Sequence, residues 1–215
     1  ELWKCHDYFK GVWEERQRSG QRGEDLLSLM MQDESMRDLP ANEFLGNLIL
    51  LIVGGNDTTR NSITGSVLAL SQFPDEYEKL KQDQSLIPGM VSEAIRWQSP
   101  IAHMARTARA TYELDGQCIE EGDRVALWYI SGNRDDSEIE DPYQFKIDRS
   151  NPRHHIAFGF GVHRCLGNRL GEMQLRVVWE EMFKRFKHIE VTGDPVRPMT
   201  SFIRGIRKLP VRVHA

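Results

Sequence analysis

The segment from Phe158 to Gly167 constrains the fold more than any other part of the chain. It reads FGFGVHRCLG, and its cysteine, Cys165, comes directly before an amphipathic run. The free N–H groups and the dipole at the start of a helix stabilise negative charge, and glycine lets the backbone pass close to a flat ligand. The segment therefore predicts a loop that presents a cysteine thiolate at a helix start. The alternative is a buried, passive cysteine in a glycine-rich loop.

The pattern around this segment predicts a mainly helical chain with a few short strands. Helices are predicted over 1–18, 25–31, about 40–72, 75–82, 85–97 and 167–186, the last with an apolar stripe of Leu166, Leu170, Met173 and Val177. Short strands are predicted at 112–114, 118–119, 125–128 and 209–213, and a turn at 19–23. Residues 131–157 lack periodicity, and a loop of this length in a compact domain is usually functional.

Composition and cysteine spacing exclude several classes of function. The 28 basic against 32 acidic side chains give a net charge of −4, so a nucleic-acid partner is not expected. The longest aliphatic run, Leu48 to Val53, is too short to span a bilayer. Cys5, Cys118 and Cys165 form no C-x-x-C pair, which argues against a zinc knuckle, a redox dithiol and c-type haem attachment.

The odd cysteine count without paired spacing favours a reducing, cytosolic compartment. The alternative is that one thiol is a ligand and the other two are passive. The residues after Glu1 already follow a helical pattern, so we expect a segment of a longer chain.

The spacing F-x-x-G-x-H-x-C-x-G in this segment resembles the cysteine loop of the cytochrome P450 family, whose thiolate ligates haem iron. The resemblance implies that Cys165 is the iron ligand, that Phe158 shields its sulfur, and that Gly161 and Gly167 pass beside the haem. It covers essentially the whole chain. It therefore implies a mainly α fold with small β-sheets, with residues 1–215 forming the haem-binding C-terminal half of a single cytochrome P450 domain.

A second motif, E-x-x-R, occurs at Glu93/Arg96 and also at 15/18, 34/37 and 121/124. Residues three apart lie on one helix face, but the motif alone is common. Only the copy at Glu93/Arg96 is followed by the predicted strands and the long loop, as the motif is in the family. The resemblance then implies that Arg149 joins them in a buried charge network that fixes the loop presenting Cys165.

The third motif, GGNDTT at 54–59, lies inside the long predicted helix, where two adjacent glycines are unfavourable. It resembles the family's oxygen-binding groove, an opened turn in this helix. In that role Thr58 donates a hydrogen bond during oxygen activation, and Asp57 relays protons from solvent. The alternative is an ordinary polar face that interrupts a core helix.

The resemblance also implies partners for the haem and the substrate. His163 and Arg106 match the family's propionate-binding positions, and His155 is a further candidate. The expected substrate pocket consists of Val53, Gly54, Ile101, Ala102, Met104, Phe202 and Ile203.

Longer strings, such as GGNDTTRNS and FGFGVHRCLGNRL, resemble the soluble bacterial terminal hydroxylases of alkanes and fatty acids. We therefore expect an O₂-dependent enzyme with haem b, acting on medium-chain alkanes or acyl chains. Electrons would come from NAD(P)H through a reductase and a [2Fe–2S] ferredoxin that docks on Arg153, Arg164 and Arg169, although Arg164 could instead turn toward a propionate. The alternatives are a peroxide-driven fatty-acid hydroxylase and a haem-binding protein without turnover.

Overall fold

The computed structural model describes residues 1–20 and 23–215, so part of the predicted turn at 19–23 lies outside the described residues. The described helices are α1 Leu2–Ser19, α2 Leu26–Gln32, α3 Ala41–Gln72, α4 Pro74–Gln82, α5 Ile87–Gln98, α6 Tyr129–Gly132 and α7 Asn168–Arg185. Short 3₁₀ turns occupy Glu34–Met36, Gln84–Leu86 and Gly161–His163. In the described part of the chain, no helix is both long enough and apolar enough to cross a membrane.

Within residues 1–20 and 23–215, six short strands form three antiparallel pairs. The strands are β1 Met104–Thr107, β2 Tyr112–Leu114, β3 Gln117–Ile119, β4 Arg124–Leu127, β5 His188–Val191 and β6 Val211–His214. Strand β1 pairs with β4, β2 with β3 through the turn at Asp115 and Gly116, and β5 with β6. The prediction of a mainly helical fold with small sheets is confirmed.

The chain forms two compact units, Glu1–Gly55 and Asn56–Ala215. In the first, Trp13 of α1 packs edge-on against Phe44 of α3 at 5.3 Å between ring centroids. Helix α2 begins as predicted, because the Asp25 carboxylate accepts the Ser28 backbone N–H at 3.1 Å. The second unit has the larger core, in which Leu80, Met90 and Ile147 are fully buried.

Three contacts hold the part of α3 that belongs to the second unit, residues 56–72, to the rest of that unit. The buried Trp179 indole of α7 donates to Ser66 Oγ at 2.9 Å. A Cβ added at Gly65 would lie 2.6 Å from the Gln98 side chain, so α5 approaches α3 closely there. The Asn61 side-chain oxygen accepts the Ile206 backbone N–H at 2.9 Å. Residues 56–72 of α3 are thereby tied to α5, α7 and the C-terminal segment around Ile206.

The structure differs from the sequence predictions at a few boundaries. Helix α5 begins at Ile87 because a 3₁₀ turn takes up 84–86. Strands β1 and β5 are not among the predicted strands, because neither is joined to its partner by a short turn with a clear signature, as β2 and β3 are at Asp115 and Gly116. The short helix α6 leads into the loop predicted at 131–157, and the last strand lies at 211–214 rather than 209–213.

Candidate functional site

The cysteine loop is closed by backbone hydrogen bonds. The Cys165 N–H donates to the Phe158 carbonyl at 2.8 Å, and Arg164 N–H donates to the Gly161 carbonyl at 3.0 Å. Gly159 and Gly161 have φ values of +69° and +72°, a conformation that side chains with a Cβ rarely adopt. The Asn168 side-chain amide donates to the Cys165 carbonyl at 2.6 Å. These bonds fix the backbone on both sides of the cysteine.

The face of this loop is open and apolar. Cys165 is exposed and lies three residues before the first residue of α7. A Cβ added at Gly161 or Gly167 would meet nothing within 4 Å. Phe160, Val162 and Leu166 are 84%, 94% and 93% exposed. A cysteine sulfur at a helix start beside a clear apolar surface fits a flat group such as the haem that the resemblance implies.

Helix α7 is apolar on two faces. Leu175 and Trp179 are buried in the core, whereas the stripe noted in the sequence, Leu166, Leu170, Met173 and Val177, is exposed. The sequence pattern therefore identified the helix, but its core-facing residues are different ones. The exposed stripe extends the apolar surface of the cysteine loop along α7.

The structure brings Glu93, Arg96 and Arg149 together. Arg96 donates from Nε and Nη2 to the two Glu93 carboxylate oxygens, each at 2.7 Å, and Arg149 Nε donates to Glu93 Oε2 at 3.0 Å. Glu93 is 0% and Arg96 1% exposed. The residues of the other three E-x-x-R copies are exposed and form no ion pair within those copies in the described chain. Burial therefore distinguishes this copy from the others.

The same charges organise the long loop. Arg96 Nη1 donates to the carbonyls of Asn133 and Pro142, at 2.7 and 3.0 Å. Glu93 Oε1 accepts the Lys146 N–H at 2.9 Å, and Arg149 Nη2 donates to the Gln144 carbonyl at 2.9 Å. The loop thus takes its shape from hydrogen bonds to a buried ion pair. Sequence reasoning missed these acceptors, because main-chain carbonyls carry no residue signature.

Asp57 and Thr58 are half-buried residues of the second unit, on α3. Asp57 forms an ion pair with Arg60 at 2.7 Å, and the Thr58 carbonyl accepts the Ser62 hydroxyl at 2.9 Å. Helix α3 is continuous from Ala41 to Gln72. The expected opened turn at Gly54 and Gly55 is therefore wrong for this structure, because the backbone keeps its helical path through both glycines.

Four of the expected pocket residues lie together, because residues 202–203 near the C-terminus pair with residues 101–102 just after α5. Ile101 and Ile203 form an antiparallel β-bridge, and the Ala102 N–H donates to the Phe202 carbonyl at 2.9 Å. Met104 follows on β1. Val53 and Gly54 are exposed residues of the first unit. Sequence reasoning missed His103, whose ring lies 6.0 Å from the Phe202 ring between centroids.

The three propionate candidates have different surroundings. His163 is exposed on the 3₁₀ turn before Cys165. Arg106 lies on β1, donates to the Ala105 carbonyl at 2.8 Å and has no carboxylate partner in the described chain. Burial, reinforced by the nearby Arg96 charge, lowers the pKa of His155 to about 4. His155 is therefore neutral near pH 7, and its ring packs 5.7 Å from the Phe158 ring. It can bind an anion only as a neutral donor.

No group of three histidine, cysteine or acidic side chains able to hold a metal ion occurs among residues 1–20 and 23–215. The described cysteines, Cys5, Cys118 and Cys165, are all free thiols. Cys165 differs from the other two in its position at the glycine-rich loop and helix start.

Known proteins resemble the chain over nearly its whole length. A sequence model described as Cytochrome P450 matches residues 2–213. Linalool 8-monooxygenase of Pseudomonas putida is 41% identical over 96% of this chain and 50% of its own length. Methyl-branched lipid omega-hydroxylase of Mycobacterium bovis is 41% identical over 87% of this chain and 44% of its own length.

Solved structures agree. The structure of cytochrome P450-153 from Novosphingobium aromaticivorans matches with a TM-score of 0.94 and 47% identity, over 99% of this chain and 53% of that one. The expected half of a cytochrome P450 fold is therefore present, and the chain spans about half the length of the curated relatives it matches.

The buried charge network generates a stability prediction. Glu93→Gln removes the only carboxylate that Arg96 and Arg149 contact in the described chain, so it should lower the free energy of unfolding by about 3–5 kcal/mol. Glu121→Gln makes the same chemical change in an exposed E-x-x-R copy and should stay within about 0.5 kcal/mol. Urea denaturation of both variants measures the difference. Equal stabilities would contradict a structural role for the network.

Proposed function

Because the chain belongs to the cytochrome P450 family, we propose that the protein containing it is an O₂-dependent haem-thiolate monooxygenase. The proposed reaction hydroxylates the terminal carbon of medium-chain alkanes or fatty acyl chains. The observation that carries the proposal is Cys165, exposed on a rigid loop at the start of α7 beside an open apolar surface.

When bound, the haem would supply the iron at which O₂, two electrons and two protons are used, so that one oxygen atom enters a C–H bond and the other leaves as water. The residues of this chain bind and position that group. Cys165 supplies the sulfur ligand, and the hydrogen bonds from the loop backbone hold it in place. Phe158 is partly buried and packs against the core, so it can keep water from one side of the sulfur.

Helix α3 supplies the groups for proton delivery. Thr58 carries the hydroxyl proposed to donate a hydrogen bond during oxygen activation, and Asp57 carries the carboxylate proposed to relay protons from solvent. Asp57 and Arg60 are both partly exposed, so their ion pair is held weakly and can open. Proton transfer through Asp57 requires the carboxylate to leave Arg60. A peroxide-driven hydroxylase would not need this pair of residues, and their presence favours the O₂-dependent reaction.

The proposed substrate is apolar because the residues grouped near Ile101 are apolar. Ile101, Ala102, Phe202 and Ile203 offer hydrocarbon surface, and an unbranched chain must be selected by shape. The names of the relatives supply further support, since one is a lipid omega-hydroxylase and another is a monooxygenase of linalool. All three cysteines are free, which supports the proposal of a reducing, cytoplasmic compartment.

The proposed electron donor is an acidic [2Fe–2S] ferredoxin that takes electrons from NAD(P)H through its reductase. Arg153 and Arg169 both form ion pairs with Glu172, beside a cavity of about 310 Å³ that Arg176 also lines. Arg164 is exposed and has no ion-pair partner in the described chain. Glu172 therefore neutralises part of this charge, and Arg164 carries the positive charge that is least compensated.

The iron ligand can be tested directly. In the complete protein, Cys165→Ala should abolish the thiolate-type spectrum of the reduced CO complex, because no other cysteine lies in the loop. Cys5→Ala and Cys118→Ala are the matched controls and should retain it. A thiolate-type spectrum in Cys165→Ala would refute the assignment. If the wild-type protein has this spectrum but does not consume NAD(P)H with octane and ferredoxin, it is a haem-binding protein without turnover.

The pocket assignment predicts a change in product position. Phe202→Ala removes an aromatic ring from the expected pocket and so enlarges it. The bound alkyl chain is then less confined, and a larger share of it should be hydroxylated away from the terminal carbon. A methylene changes discrimination by only about 1–3 kcal/mol, so a mixture of products is expected. Gas chromatography of the alcohols from octane measures their ratio, with Tyr112→Ala on the exposed β2–β3 hairpin as the control. An unchanged ratio in Phe202→Ala would remove this residue from the pocket.

The docking assignment predicts salt-dependent reduction. Arg164→Gln should slow the second-order reduction by ferredoxin at low salt more than Arg153→Gln or Arg169→Gln, because Glu172 already offsets the latter two. Arg207→Gln, an exposed control with the same charge change, should leave the rate unchanged. Stopped-flow measurements at several ionic strengths provide the rates. A rate that is indifferent to salt and to all three substitutions would place docking elsewhere.

A further inference from the structure

We propose that Asn133 is a positioning residue that couples the buried charge network to the cysteine loop. The inference rests on the proposed haem-thiolate function, because it assigns Asn133 the task of holding the segment that leads to Cys165. Asn133 lies just after α6 and is 0% exposed. It lies outside the cysteine, E-x-x-R and GGNDTT motifs.

The charge network does not reach the cysteine loop by itself. In the described chain, the side-chain hydrogen bonds that Glu93, Arg96 and Arg149 make outside their own cluster end on residues from 133 to 146. None ends on residues 150–165. A connecting residue is therefore required if the network is to hold the loop.

Asn133 closes a hydrogen-bonded ring with the network. Its backbone carbonyl accepts Arg96 Nη1 at 2.7 Å, and its side-chain Nδ2 donates to Ser99 Oγ at 2.8 Å. Ser99 Oγ in turn donates to the Arg96 carbonyl at 2.7 Å. Ser99 is fully buried and ends α5 in the left-handed conformation, with φ of 40°. The ring fixes the orientation of the Asn133 amide.

The remaining side-chain atom of Asn133 points toward the cysteine loop. Its Oδ1 accepts the Ile156 backbone N–H at 2.7 Å. The Ile156 carbonyl accepts the Gly159 N–H at 2.8 Å, and Phe158 then accepts the Cys165 N–H at 2.8 Å. A path of hydrogen-bonded segments therefore leads from Arg96 to Cys165 through Asn133.

Close packing reinforces this path on both sides of Asn133. A Cβ added at Gly132 would lie 2.5 Å from Ile156 Cδ1, and one added at Gly159 would lie 3.2 Å from the Tyr129 hydroxyl oxygen. The segment 129–133 and the segment 156–159 are thus in contact along their length. Loss of the Asn133 amide would leave the Ile156 N–H unpaired in this packed region, where an unmade hydrogen bond is unfavourable.

Three substitutions test separately the two side-chain hydrogen bonds of Asn133, one to Ser99 and one from Ile156. Asn133→Leu has similar volume and removes both side-chain bonds. Asn133→Asp keeps an oxygen acceptor for the Ile156 N–H, and Ser99→Ala removes only the hydrogen bond to residue 99 at the end of α5. Amide hydrogen exchange is measured over 154–165 and over the α3 segment 66–72, in the haem-free complete protein and after haem loading. The reduced CO spectrum reports the thiolate-ligated fraction.

Asn133→Leu should accelerate exchange in 154–165 at least about tenfold, the effect of one lost buried hydrogen bond, with a smaller change in 66–72. The thiolate-ligated fraction should fall. Asn133→Asp should restore slow exchange in 154–165, and Ser99→Ala should leave it near the wild-type rate. Asn133→Ala replaces the leucine variant if that protein does not fold.

If amide exchange in Asn133→Leu accelerates equally in 66–72 and 154–165, Asn133 contributes only to general stability and the proposal is overturned. Unchanged exchange in both segments would also overturn it. A wild-type protein without a thiolate-type CO spectrum would instead overturn the proposed function. The exchange comparison in the haem-free protein would still decide whether Asn133 holds the loop.

Discussion

The bidentate ion pair between Arg96 and Glu93 is the interaction on which the loops of the second unit depend. Both side chains are removed from water, so each charge needs its partner and nearly every remaining donor or acceptor must be used. The unused donors of Arg96 and Arg149 therefore recruit main-chain carbonyls of the loop after α6. A segment without regular secondary structure gains a defined path, because deviation from it would strand a buried charge.

The cysteine loop has the opposite character, since its outward face is apolar and exposed. Its backbone is nevertheless fixed by positive-φ glycines, by the Phe158–Cys165 hydrogen bond and by the Asn168 amide. A ligand sulfur needs this combination, because the surface must remain open to a large flat group while the sulfur stays in one position. In the proposed function, rigidity comes from the loop's own hydrogen bonds and from the link through Asn133 to the buried charges, and access comes from the glycines within the loop.

Much of the fold was predictable from local patterns, and the site was predictable in part. Periodicity located the major helices, since helix boundaries follow capping residues such as Asp25 and the apolar spacing that precedes packing. The cysteine motif predicted Cys165 as the iron ligand, and the GGNDTT motif predicted functional roles for Asp57 and Thr58. The same reasoning implied an opened turn at Gly54 and Gly55, whereas α3 continues through them. Glycine permits such a turn without imposing it.

The amino-acid sequence by itself determined the helical character of the chain, the family resemblance and the cysteine expected to bind iron, because these depend on residue types at fixed short spacings. Only the tertiary structure decided that Glu93 and Arg96 are fully buried, that Glu172 pairs with Arg153 and Arg169, and that Asn133 joins Arg96 to Ile156. These contacts connect residues up to tens of positions apart. Their formation depends on packing and desolvation, which local spacing does not encode.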